Sequence, residues 1–228
     1  MRPLIGLTAA LLLSASPTQA QSAQASADRA GRIELAIGPI WVGRASFGSR
    51  DANETTGSGG TLRLFSTSTE LAGVSGLEGH VGVRVMRGLD VEASGSYAKP
   101  RLQTQVDSDF ETSNAPLTVS DTIRQFTIGG AVLWYPRLQP LGTRTRVFVR
   151  GGAGYLRQLE NEGALVVTGH EYDAGGGVKF ALASRQSGWW KGIGARVDAR
   201  VAVRQKGAAP DDRAHASPVV SASIFARF

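Results

Sequence analysis

The sequence contains no cysteine. That removes any disulfide framework, and any lipid attachment through an N-terminal cysteine. A folded body must therefore be held by backbone pairing and packing alone. Beyond residue 20 no stretch approaches the ~18 consecutive apolar residues that a spanning helix needs, which excludes a helical membrane protein. Charge is sparse, at 19% of residues, and hydrophobic residues make up 42%. That balance excludes intrinsic disorder, which requires low hydrophobicity and high net charge. The formal charge is +6, yet the basic residues are spread singly, with no Lys/Arg cluster interleaved with aromatics. A nucleic-acid partner is excluded on that ground.

Metal and cofactor signatures are also missing. His80, His170 and His215 have no tight His/Asp/Glu neighbours of the kind a metal site requires. Gly57-Ser58-Gly59-Gly60 lacks a following Lys-Ser/Thr and reads as a flexible loop tip, not a phosphate loop. Neither a metal nor a cofactor is expected.

What is present begins with a leader. Met1 and Arg2 give a positive start, Leu4 to Ala15 an apolar run, and Thr18-Gln19-Ala20 a small-x-small cleavage site. Residues 1–20 are therefore expected to be a removable signal peptide, with 21–31 a short flexible lead. From Arg32 onward the dominant period is two. Eight segments place apolar or small residues at alternate positions. These begin with Ile33, Leu35, Ile37, Pro39 and Trp41, and end with Val220, Ala222, Ile224, Ala226 and Phe228. Between them lie segments centred on Val81, Ala93, Gly130, Gly151, Gly176 and Val197.

No charge falls on these alternate positions. The opposite parity holds Glu34, Glu78, Glu92, Glu171, Asp173 and Asp198, with Arg84, Arg146, Arg150, Lys179, Arg196, Arg200, Arg204 and Arg227. An apolar set rich in Gly and Ala, backed by a charged set, suits a barrel with lipid outside and polar side chains inside. The links alternate. Arg87–Asp90, Pro136–Thr145 and Ala183–Lys191 are short, while roughly 42–75 and 98–121 are long. Transmembrane barrels have short periplasmic turns and longer outer loops, which puts both termini in the periplasm. Leu62, Leu64, Leu102 and Val106 suggest that strands continue beyond the membrane.

The expected fold is thus an all-β, eight-stranded antiparallel transmembrane up-and-down barrel over residues 32–228. In that topology Trp41, Tyr97, Phe126, Tyr155 and Tyr172 fall at outer strand ends. Trp134, Phe180 and Phe228 fall at inner ends. Two aromatic girdles are expected, since such rings favour the membrane interface.

The last ten residues, Val219 to Phe228, look like the closing strand of outer-membrane barrel proteins, which typically ends in Phe after alternating apolar residues. With the leader and eight strands, the chain resembles small outer-membrane β-barrel proteins of the OmpA/OmpX/OmpW-like type. The resemblance implies a Gram-negative-type outer membrane, contact with its lipid and lipopolysaccharide, and recognition of Phe228 by the barrel-assembly machinery. It does not imply one activity, because such barrels serve as anchors, adhesins, narrow channels and enzymes.

An eight-stranded barrel is just wide enough for side chains to fill it. Charges there must pair or hold water. Glu78, Arg84, Arg150, Asp173, Arg196, Asp198 and Arg200 are the expected members of a salt-bridged plug. The other reading of the same residues is the lining of a narrow porin-like channel for small solutes. His80, on the same parity, is expected to be a polar lumen residue. A lipid-modifying enzyme is a third, remote reading. His215-Ala216-Ser217 invites comparison with the lipid A deacylases, but no acidic residue follows Ser217 to orient the base. No catalytic residue is assigned. The expected function is structural or surface interaction.

Overall fold

The computed structural model describes residues 32–55, 57, 59–107, 117–136, 144–160, 165–185, 187–206 and 213–228. Residues 1–20, expected to be a signal peptide, and 21–31, expected to be a short lead, lie outside the described residues. The described chain is all-β. Its strands are β1 (Ile33–Val42), β2 (Ala45–Thr55), β3 (Thr61–Leu71), β4 (Val74–Met86), β5 (Leu89–Ala98) and β6 (Arg101–Asp107). They continue as β7 (Leu117–Thr122), β8 (Arg124–Trp134), β9 (Thr145–Glu160), β10 (Leu165–Ser184), β11 (Gly192–Lys206) and β12 (His215–Arg227).

Eight of these close into an antiparallel barrel in the order β1-β12-β11-β10-β9-β8-β5-β4. Ile33 and Phe228 exchange backbone hydrogen bonds (3.4 and 2.9 Å), so the first and last strands seal the seam at the end where both termini lie. Stepping across paired residues from Val42 leads through Val219, Arg200, Gly175, Arg150, Leu133, Asp90 and Arg84. The path returns to β1 at Arg32, whose carbonyl accepts from Arg84 N at 2.9 Å. The circuit thus drops ten residues, from 42 to 32, along β1. That stagger imposes a strand tilt of roughly 35–45°.

The alternation in sequence becomes the two faces of this wall. Ile37, Leu77, Val83, Ile128, Val149, Val197, Val201 and Ile224 stand exposed on the outside. Glu78, His80, Glu92, Arg150, Lys179, Arg196, Asp198 and Arg200 are buried inside. A soluble protein would not present so wide an apolar exterior around a charged interior, because the hydrophobic effect drives the opposite arrangement.

The two long connections are not separate loops. β2 and β3 prolong the β1–β4 ladder in its own register, and β6 and β7 prolong the β5–β8 ladder. These two ribbons then pair through β3 and β6, giving a four-stranded sheet, β2-β3-β6-β7, above the barrel. The buried Pro100, with no N–H to donate, and Ile123 mark where one ribbon changes from barrel to sheet. Ala45, Leu71 and Ile123 pack together at the junction, with Phe47 and Leu102 against them. β9 and β10 also run on beyond the barrel, at 16 and 20 residues.

Candidate functional site

The lumen is the site, and the tilted strands build it in layers. At the centre, Arg196 on β11 reaches across to Glu92 on β5, with Nη1 2.5 Å from Oε2. Its Nε donates to Asp198 at 3.0 Å. Arg200 binds Glu78 on β4 through two contacts, one of 3.2 Å from Nη1, and also donates to Asp198 at 3.0 Å. Arg150 on β9 pairs with Asp173 (2.9 Å) and lies 3.8 Å from Glu92. His80 sits between two acids, 2.9 Å from Glu92 and 3.3 Å from Glu78. Ser221 donates to Asp198 at 3.0 Å.

Four carboxylates thus face three guanidiniums, with the His80 ring set between two of the acids. Close pairing matters here because an uncompensated charge in so enclosed a place is costly. Gly175 and Gly177 make the space. They pair with Arg200 and Asp198, and a Cβ on either would collide with β11 backbone.

The layer nearer the termini is built differently. Glu34 holds Lys179 (2.5 Å) and Arg227 (2.9 Å). Three aromatic rings fill the rest. Arg146 stacks over Tyr135 (4.2 Å), Arg196 over Phe148 (4.8 Å) and Arg227 over Phe225 (4.7 Å), a cation–π arrangement. Lys179 lies within 6.0 Å of all three rings. Phe148, Tyr135, Leu133 and Ala131 form one buried apolar cluster. Towards the other end, Arg204 donates to Glu171 (2.8 Å) and Gln158 to Gln125 (3.1 Å).

Of the seven charges singled out from sequence, Glu78, Arg150, Asp173, Arg196, Asp198 and Arg200 share the central cluster. Arg84 stands apart, 3.6 Å from Asp90 near the terminal end. Asp90 falls in the expected Arg87–Asp90 link, but it is the second residue of β5 and faces inward against Arg84. Glu92 and His80 complete the cluster, and neither was assigned to it. Glu92 has the right parity in the sequence. Its partnership with Arg196 is invisible there, because the two strands meet only across the closed barrel. Phe148 and Phe225 also lie on the interior parity, where a pattern of charge alone gives no sign of them.

Trp41, Phe126, Tyr155 and Tyr172 are exposed on the outer wall, and the half-buried Tyr97 packs on Phe126 with ring centroids 4.8 Å apart. Trp134 is also exposed, five strands on from Trp41 in the same register row. Tilt carries it to the opposite end of the barrel. Phe180 is exposed at that end, where Trp189 stacks on Phe228 at 5.4 Å. Trp189, 79% exposed, is an addition to that row. His215 lies with Nδ1 2.9 Å from the Ser46 carbonyl oxygen and its ring edge-on to Phe47, while Ser217 is buried. His170 is exposed beside Tyr155. Among the described residues no group of three His, Asp or Glu side chains is arranged to hold a metal.

No family model and no curated protein sequence matches the chain. Among solved structures it is similar to the outer membrane protein OprG from Pseudomonas aeruginosa. The identity is 14% and the TM-score 0.46, over 86% of this chain and 95% of that one.

Proposed function

We propose that the chain is an integral outer-membrane barrel of a Gram-negative-type bacterium, non-catalytic, with a structural or surface-interaction role and an occluded lumen. In this reading both termini are periplasmic and the β2-β3-β6-β7 sheet stands outside the cell. The apolar exterior and the aromatic rows at both ends of the wall support the membrane placement. The carrying observation for the role is the Arg196–Glu92 bridge. β11 and β5 are diametrically opposite in the strand order, so this ion pair spans the lumen at its middle. Phe148, fully buried, lies beneath it with its ring 4.8 Å from the Arg196 guanidinium. The outer sheet, made from both long connections, is the natural surface for a partner.

The test is single-channel conductance of the refolded chain in planar bilayers. Little or no conductance is expected. Steady, anion-selective current in the unmutated protein would sink the occluded reading and replace it with a narrow channel.

A further inference from the structure

One feature of the outer wall has no role in the lumen. Tyr97 on β5 pairs with Phe126 on β8, and Arg101 on β6 pairs with Thr122 on β7. Lys99 falls between these rows, directly opposite Arg124. The ladder is intact across this break, since Ile123 N donates to Pro100 O at 2.9 Å. Arg157 on β9 pairs with Phe126, which sets it diagonally beside Arg124. Lys99, Arg124 and Arg157 are all exposed. They have the same parity as the outward aromatics Tyr97, Phe126 and Tyr155, and Lys99 lies 5.8 Å over the Tyr97 ring. Like charges facing each other on adjacent strands destabilise a sheet. Among the described residues none of the three forms a salt bridge with a carboxylate. The nearest acid by register on this face is Glu70, beside Gln103, two residues along β6 from Arg101.

Three cations, with no carboxylate paired to them among the described residues, therefore stand on three neighbouring strands. They sit one step above an aromatic row that marks an edge of the apolar belt. We infer that Lys99, Arg124 and Arg157 form a binding site for the phosphate groups of an outer-leaflet lipid. The acyl chains would lie along the apolar wall below, against Tyr97, Phe126 and Ile128. The inference rests on the membrane placement proposed above. An arginine fork and a phosphate make parallel charge-assisted hydrogen bonds, which suits two arginines beside one lysine. The chemistry required is a phosphorylated head group attached to acyl chains, not a free anion.

The experiment titrates the refolded full-length chain in detergent with diphosphoryl lipid A, with its dephosphorylated form and with inorganic phosphate. Bound lipid is counted by native mass spectrometry. The unmutated chain should prefer the diphosphoryl form at least ~10-fold, with a preference that falls as salt rises. Lys99→Gln with Arg124→Gln and Arg157→Gln should abolish the preference. Arg32→Gln with Arg185→Gln and Lys191→Gln removes the same charge from the opposite end and should keep it. The first variant should fold at least as well as the unmutated chain in lipid-free detergent, because it relieves repulsion. Unheated gel mobility checks this, and Arg124→Gln alone, with a partial loss of preference, serves if the triple variant does not fold. Retained preference in the triple variant, or full displacement of the lipid by millimolar inorganic phosphate, would overturn the site. Flotation with phosphatidylcholine vesicles is the separate control. A chain that does not insert overturns the membrane placement, whereas one that inserts without phosphate preference overturns only this site.

Discussion

Arg196 and Glu92 stand on opposite walls of the barrel, 104 positions apart in sequence, and meet with Nη1 2.5 Å from Oε2. Each is also tied to its own neighbourhood, Arg196 to Asp198 and Glu92 to His80 and Arg150. The pair therefore works as a strut across the lumen, held upright at both feet. Removing one end leaves the other buried with only its side contacts, Arg196 with Asp198 or Glu92 with His80 and Arg150. Arg196→Met or Glu92→Gln alone should lower stability by about 3–5 kcal/mol. Arg196→Met with Glu92→Leu should recover much of that loss, because neither charge is then left alone. Urea unfolding in lipid vesicles, followed by tryptophan fluorescence, measures all three.

The same strut governs permeation. Arg150→Ala with Arg196→Ala removes both guanidiniums beside Glu92, leaving it only the His80 ring. Asp198 keeps Arg200 and Ser221. The void left by two guanidiniums is polar and roomy enough for water. Conductance in planar bilayers should rise above the unmutated background. A variant as silent as its parent would show that Phe148 and the aromatic layer, rather than the charges, close the lumen.

The outer wall should separate lipid-facing from water-facing apolar positions. Val83 and Val149 are 45% and 47% exposed on the barrel, and Arg at either should cost about 2–4 kcal/mol in a bilayer. Val119, 58% exposed, belongs to the outer sheet, and Val119→Arg should be close to neutral. Ser223 is no mild site for arginine, since it pairs with Arg196 in the filled interior. Folded fraction in vesicles, read from heated and unheated gel mobility, distinguishes these cases.

Gly177→Ala tests how tightly the central cluster is fitted. The added methyl would strike the Val197 carbonyl oxygen and Asp198 Cβ. Overpacking of this kind costs about 1–3 kcal/mol. Gly151→Ala, on the outward face with nothing within 4 Å, should be tolerated. Thermal unfolding of the two variants side by side gives the contrast.

Much of this architecture is written in the sequence, for a simple reason. A strand exposes alternate residues to opposite faces, so a barrel between lipid and a polar interior must print its parity residue by residue. Ile33, Leu35 and Ile37 against Glu34, or Val197 against Arg196 and Asp198, are sorted by position along the chain alone. Local pairing was legible too, since short links join neighbouring strands. The layer in which each charge sits was not legible. Glu92 meets Arg196, and Arg84 does not join them, because closure with a ten-residue stagger sets their heights, and closure is a property of the whole sheet. The outer sheet is the same case. Thr104 and Thr69 come within 3.3 Å only because two ribbons, continuing two separate barrel hairpins, emerge side by side. Parity is a local consequence of backbone geometry and can be read along the chain. Register across the barrel is a global one, and only the closed structure decides which opposite charges become partners.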